Sequence, residues 1–397
     1  MMAYPALNSR NFRLFLVAGF ISNIGTWMQN VARSWVIYKE TGDDPRWLGW
    51  LGLSFAIPMV ILPLVGGTIV DRVPRIKLVL VTQTGLTLVA VALAVLAWTG
   101  LLAPWHLLAS TFAGAIFLAI DNPARQAIAP DLVPREDLLN ALSLNAASFN
   151  GAALLGPALA GPLLGRIGAG WLFFMNAASF LFMIAAIASL RDLPDHAHKA
   201  PPKRAGAFRE ALGSHGVVAL LVISAVAAVF GRSYPMLLPI VAAHVWNAGS
   251  SGYGRLLAAG GAGALVGGFG TASFPALRAS SRVITSSGLV LAVSLALFAR
   301  TTSQSFGLAC LVLAGASSTV LTTAIATSLQ HAIKPEARGR IMSLYVITLI
   351  GLPQLVAPLL ANGAHHFVDA HEGVAAVLYV AAALLAVSML TTHRRDQ

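Results

Sequence analysis

The chain has 397 residues, 57% apolar and only 10% charged, against about 25% charged in an ordinary soluble domain, so it cannot cover a solvated surface and must lie in lipid. A helical span takes about 20 apolar residues, so twelve spans use about 240 and leave no room for an appended soluble domain of any size. The excess of 26 Lys+Arg over 15 Asp+Glu is too sparse for a nucleic-acid-binding face and poses instead the question of which side of a membrane the positive charges occupy.

Apolar runs bounded by charge, Gly or Pro fall near 12–38, 47–70, 78–99, 105–128, 138–165, 169–190, 216–242, 251–272, 283–299, 305–330, 341–363 and 373–391. They predict twelve helices. Arg10 and Arg13 precede the first run as in a signal peptide. No small-residue cleavage site follows and the apolar pattern continues to Tyr38, so the first span is expected to be retained. Along it Asn23, Thr26, Asn30 and Arg33 fall at steps of three and four and share one helix face. A polar stripe in lipid is expected to face a cavity, as a substrate-binding surface. Arg33 stands about 31 Å beyond Phe12 at 1.5 Å per residue, where snorkelling to the far interface is the expected fate.

Between the second and third runs lies Gly67-Thr-Ile-Val-Asp71-Arg72-Val-Pro-Arg75-Ile-Lys77. Gly67 admits close helix approach, Asp71 can accept from backbone N–H groups at a neighbouring helix N-terminus, and Arg72 and Arg75 can hold the loop to acidic partners. The fourth run ends Asp121-Asn-Pro-Ala-Arg125. Asp121 is the acid placed inside a span, and hence a candidate for proton coupling. The fifth carries Gly156-Pro157-Ala-Leu-Ala-Gly161-Pro162, where Pro bends the helix and the Gly residues allow close packing.

The one long polar connection runs from Arg191 to Arg209 and divides six runs from six. It predicts an N-terminal bundle over 1–192, a linker over 193–208 and a C-terminal bundle over 209–397. In the seventh run Arg232 is expected about 22 Å into the bilayer with no intramembrane acid beside it. Arg255, near the outer start of the eighth, is placed at the interface or on substrate. Arg33, Arg232 and Arg255 together make the outer half of a cavity electropositive. Gly260, Ala264 and Gly268, with Gly263 and Gly267, form small faces for helix packing. Cys310 can form no internal disulfide, being the sole cysteine. His365, His366, Asp369 and His371 come nearest to a metal-ligand set, in an outer loop; no metal site, cofactor or enzymatic activity is expected. His331 is read as an interface residue.

With a cytoplasmic N-terminus, 19 of the Lys and Arg residues fall inside, four outside and three within spans, so both termini are expected in the cytoplasm of a bacterium. Gly66-Gly67 recurs as Gly267-Gly268, Pro134 as Pro335, Ser143 as Ser343 and Pro157 as Pro358, at offsets of 200 or 201. The halves read as a duplication.

The 67–77 segment resembles the signature loop of the major facilitator superfamily, departing from it at Pro74 and Ile76. With Asn23-Ile-Gly-Thr-Trp27-Met-Gln29, the Asp121–Arg125 stretch, Pro130-Asp-Leu-Val-Pro134, Gly156-Pro157 and Arg338-Gly-Arg340-Ile-Met-Ser343, the chain resembles the branch that contains enterobactin-type siderophore exporters. The likeness covers most of 8–190 and 330–363. It implies an all-α fold of twelve transmembrane helices in two pseudo-symmetric six-helix bundles, with substrate near the midplane. It also implies an acid pairing with the signature-loop Arg75, a gate-latch role preferred here for Asp121 over proton carriage. The Gly-Pro stretch resembles a motif of superfamily exporters and antiporters. The function implied is secondary active export of small anionic amphiphiles, siderophore-like, across the inner membrane by alternating access and proton antiport. Broad multidrug efflux and lysophospholipid flipping on the same fold are the alternatives. Small-molecule substrate, protons and the lipid bilayer are the expected partners of a monomer, with no nucleic acid and no cofactor.

Overall fold

The computed structural model describes residues 4–70, 73–190, 213–231, 233–274, 280–333 and 335–365, with isolated positions beyond. Among them every regular element is helical. The principal helices are α1 (Arg10–Glu40), α2 (Arg46–Val70), α3 (Arg75–Trp98), α4 (Pro104–Ile128), α5 (Leu138–Ile167), α6 (Ala169–Ala188), α7 (His215–Gly231), α8 (Gly249–Ser273), α9 (Ser281–Arg300), α10 (Gln304–Ala332), α11 (Pro335–Val346) and α12 (Leu352–His365). Nine helical segments among the described residues are long and apolar enough to cross a membrane. α1 is not one of them, since its polar residues dilute an otherwise apolar helix. The expected run at 373–391 lies outside the described residues apart from isolated positions.

Two expected single spans are interrupted. After α7 the chain takes a 3-10 turn at Tyr234–Leu237, a short α turn at Leu238–Ile240 and a π turn at Val241–Val245. Pro235 and Pro239 withhold backbone donors there, which breaks the regular ladder. A second π turn, Ile347–Gly351, separates α11 from α12, with Pro353 following at once. Both π turns sit where a proline disturbs a span that periodicity alone reads as continuous.

Helices opening at 46, 75, 104 and 138 are followed by helices opening at 249, 281, 304 and 335, offsets of 203, 206, 200 and 197. The spacing of elements thus repeats as the sequence pairs do. The chain divides into two compact units, one of Met1–Gly42 with Ile57–Ala200 and the other of Asp43–Ala56 with Pro201–Gln397.

In the first unit α1 packs on α5 and α6, and α3 on α4 and α6. Ser9 starts α1: its hydroxyl accepts from the Phe12 N–H at 3.2 Å, satisfying an orphan donor, and donates to the Leu132 carbonyl at 2.6 Å. Phe12, Phe15, Leu78, Ile128, Leu132 and Met183 form an apolar core at that end. At the other end Trp98 meets Trp171 edge-on at 5.2 Å and Phe174 at 5.6 Å. Both tryptophans are about half exposed, the arrangement of an interfacial aromatic belt. Gly25 lets α1 close on α6, since a Cβ there would lie 2.5 Å from Ser179 Oγ and 2.6 Å from Asn176 Oδ1. Gly156 does the same for α5, where a Cβ would strike Trp27 Cβ.

In the second unit α8 and α9 both pack on α10. The small face of α8 is what permits this: a Cβ on Gly267 would stand 2.5 Å from the Ala316 carbonyl oxygen, and one on Gly263 would strike the Val312 carbonyl. The opening turns of α2 belong to this unit. Gly49 abuts the Pro358 backbone and Gly52 the Gln354 side chain of α12, and His244 Nε2 lies 3.2 Å from Asp43 Oδ2.

Candidate functional site

α3 and α4 of the first unit carry the charged groups nearest the signature segment. Asp71 and Arg72 lie outside the described residues, as does Arg232, while Gly67 falls within α2. Arg75, at the first position of α3, donates through Nη1 to the Ala127 carbonyl and to Asp131 Oδ2, both at 2.9 Å. It therefore ties the start of α3 to the end of α4. The expected pairing of Arg75 with Asp121 does not form. Asp131, one turn past the end of α4, is within reach of the helix start, whereas Asp121 is held deeper along α4 by other groups.

Asp121 is completely buried. Thr82 Oγ1 donates to its Oδ1 at 2.8 Å, Gln83 Nε2 lies 3.0 Å from each of its oxygens, and Arg125 Nε meets Oδ2 at 3.2 Å. Arg125 Nη2 continues to Asn23 Oδ1 on α1 at 3.3 Å. The cluster joins α3, α4 and α1, and it presents donors to both carboxylate oxygens, as a buried charge requires.

On α1 the polar stripe is split. Asn23 bonds Arg125, Thr26 Oγ1 returns to the Ser22 carbonyl at 2.9 Å, and Asn30 is exposed. Arg33 does not snorkel: it is only 7% exposed, and its Nε has no hydrogen-bond partner. Its side chain is packed within the protein instead of being held out to solvent. One turn earlier Gln29 Oε1 accepts from Asn176 Nδ2 of α6 at 2.9 Å, and Ser179 Oγ lies 3.1 Å from Asn176 Oδ1. Among the described residues the buried charged side chains are thus Asp121, ringed by donors, and Arg33, with an orphaned Nε.

Gly156, Pro157 and Gly161 are all buried inside α5, and Gly156 faces α1 as described. Arg255 is exposed near the start of α8. His331 is exposed at the end of α10. His366, Asp369 and His371 lie outside the described residues, and among those described no cluster of His, Cys, Asp or Glu could hold a metal ion.

A loop arginine anchored on an acid, apolar spans and small-residue helix contacts agree with the family model that matches residues 1–396, that of the transmembrane secretion effectors. The chain belongs to the transmembrane secretion effector family. The family and its apolar helices make it a multi-pass membrane transporter of the major facilitator type, and no catalytic family is indicated. It is 26% identical over 133 residues to the staphyloferrin A transporter of Staphylococcus aureus (strain NCTC 8325 / PS 47), 33% of each chain. It is 24% identical over 180 residues to the MFS-type transporter YfiS of Bacillus subtilis (strain 168), 45% of this chain and 42% of that one. These matches span less than half the length of either relative. In fold, this secretion effector is similar to the nucleoside transporter NupG at a TM-score of 0.78 and 11% identity, covering 96% of this chain and 99% of that one. A bacterial homologue of the human lysosomal transporter Spinster gives 0.74 at 17% identity, covering 98% of both chains.

Residue spacing did not single out Thr82, Gln83, Asp131, Gln29 or Asn176. Asp131 stood in the quoted Pro130–Pro134 segment, and its place one turn beyond the fourth run was a usable signal. Thr82 and Gln83 left none, because a hydroxyl or amide on an apolar helix reads as dilution until its neighbour is known.

Proposed function

We propose that this transporter is a secondary active exporter of small anionic, siderophore-like amphiphiles. It works in the bacterial inner membrane by alternating access in exchange for protons, as a monomer with both termini cytoplasmic. The observation that carries the reading is Arg33, buried with its Nε unsatisfied. A guanidinium so placed is unfavourable by a few kcal/mol on insertion scales, and an anionic group supplying charge-assisted hydrogen bonds would offset that. The relative named as a staphyloferrin A transporter supports the substrate class over the stretch that it shares. The 19-to-four distribution of basic residues supports the sidedness. Asp121 is the buried carboxylate among the described residues that could couple to protons; its ring of donors favours a clasp holding α3, α4 and α1.

The test is a thermal-shift screen of the detergent-purified protein against a carboxylate siderophore and a cationic dye. The siderophore should raise the Tm of the wild type and the dye should not. Arg33→Gln should lose the siderophore shift while its unliganded Tm stays level or rises, because an unsatisfied buried charge has been removed. A collapse in unliganded Tm with the siderophore shift retained would make Arg33 a structural strut, and broad drug efflux the better reading.

A further inference from the structure

A groove of about 520 Å³ opens on the first unit between the start of α1 and the end of α6. Its rim carries Arg10 and Arg13, both exposed. Its floor is apolar, with Leu14 and Val17 continuing the same face of α1 and Phe182 and Ala185 lining the α6 side. Val17 is 52% and Phe182 48% exposed, so among the described residues nothing fully covers these two side chains of the floor. Among the described residues no carboxylate lines the groove and no acid forms an ion pair with either arginine. Ser189, at the α6 end, spends its hydroxyl on the Ala185 carbonyl at 2.7 Å.

We propose that this groove binds an anionic phospholipid of the surrounding bilayer, its phosphate between Arg10 and Arg13 and an acyl chain along Val17 and Phe182. Three arguments of chemistry meet here. Two cations at i and i+3 can both reach one phosphodiester, whose oxygens accept from guanidinium forks. Arg10 and Val17 are about 10 Å apart along the helix at 1.5 Å per residue, which sets headgroup charge above acyl chain in the order a leaflet presents them. Basic pockets between membrane helices select anionic headgroups by charge, with the apolar floor replacing lipid contacts. A soluble anion would use the rim and gain nothing from the floor. The proposal does not rest on the direction of transport or on its substrate.

Native mass spectrometry of the delipidated full chain, titrated with phosphatidylglycerol, phosphatidylcholine or inorganic phosphate, tests it. Phosphatidylglycerol should be retained in preference to phosphatidylcholine, and millimolar inorganic phosphate should not displace it. The variant R10Q/R13Q should retain about thirtyfold less phosphatidylglycerol, the scale expected for losing two interfacial cations. R166Q, which removes an exposed arginine elsewhere, should retain as much as the wild type. If the double variant yields too little folded protein, R13Q alone, at an exposed position, should still show a reduced preference. Equal retention in R10Q/R13Q and wild type, or equal retention of the two lipids, would overturn the proposal. Displacement of the lipid by phosphate would show an anion site without an acyl component and overturn it equally.

Discussion

Thr82, Gln83 and Arg125 converge on a single carboxylate that has no access to water, and that convergence governs what substitution there does. Thr82 has one hydroxyl hydrogen and lies 3.0 Å from the Leu78 carbonyl as well as 2.8 Å from Asp121; the charged acceptor is the stronger partner. Asp121→Asn should lower stability by about 3 kcal/mol or more, because it takes the charged acceptor from the donors of Thr82, Gln83 and Arg125 at once. Thr82→Ala should lower it by about 1.5 to 3 kcal/mol, the range for a hydrogen bond to a charged group. Arg75 and Asp131 are each about one-fifth exposed, and water screens them, so Arg75→Gln should cost only about 1 kcal/mol. Detergent-phase thermal denaturation ranks the three. A wild-type melting temperature for Asp121→Asn would free the carboxylate from the fold and return it to proton carriage.

Helix contacts are set by where side chains are missing, and two glycines of α1 make opposite forecasts. A Cβ added at Gly19 would meet nothing within 4 Å, whereas a Cβ on Gly25 would press on Ser179 and Asn176. Gly19→Ala should therefore raise stability by about 0.5 to 1 kcal/mol through helix propensity. Gly25→Ala should lower it by about 1 to 3 kcal/mol through overpacking. Gly267→Ala should follow Gly25 rather than Gly19, since its obstacle is the backbone of Ala316, which cannot rotate aside. Equal melting temperatures for Gly19→Ala and Gly25→Ala would mean that α1 and α6 separate more readily than this packing implies. The small face of α8 was legible as a pattern of glycines at helical spacing. Gly25 was not, because it stands among polar residues and its partners are some 150 positions away in sequence.

For the molecule as a whole, the proposed sidedness requires reporter fusions at Gly42 and at Lys203 to report opposite sides of the membrane; the same side for both would refute it. Membrane residence, the positions of the apolar runs within the described residues and the 200-residue repeat all follow from sequence alone, since hydrophobicity and its period act locally along the chain. Pairing does not. Arg75 lies four residues from Asp71, yet among the described groups it takes Asp131, 56 positions away, while Asp121 takes Thr82, Gln83 and its own helix neighbour Arg125. The height of Arg33, about 31 Å along the first span, suggested snorkelling to an interface, but its side chain is buried within the protein. Hydrogen-bond partners and burial depend on which helices stand side by side and at what height, and that is decided only when the close approaches at Gly25 and Gly156 bring α6 and α5 onto α1.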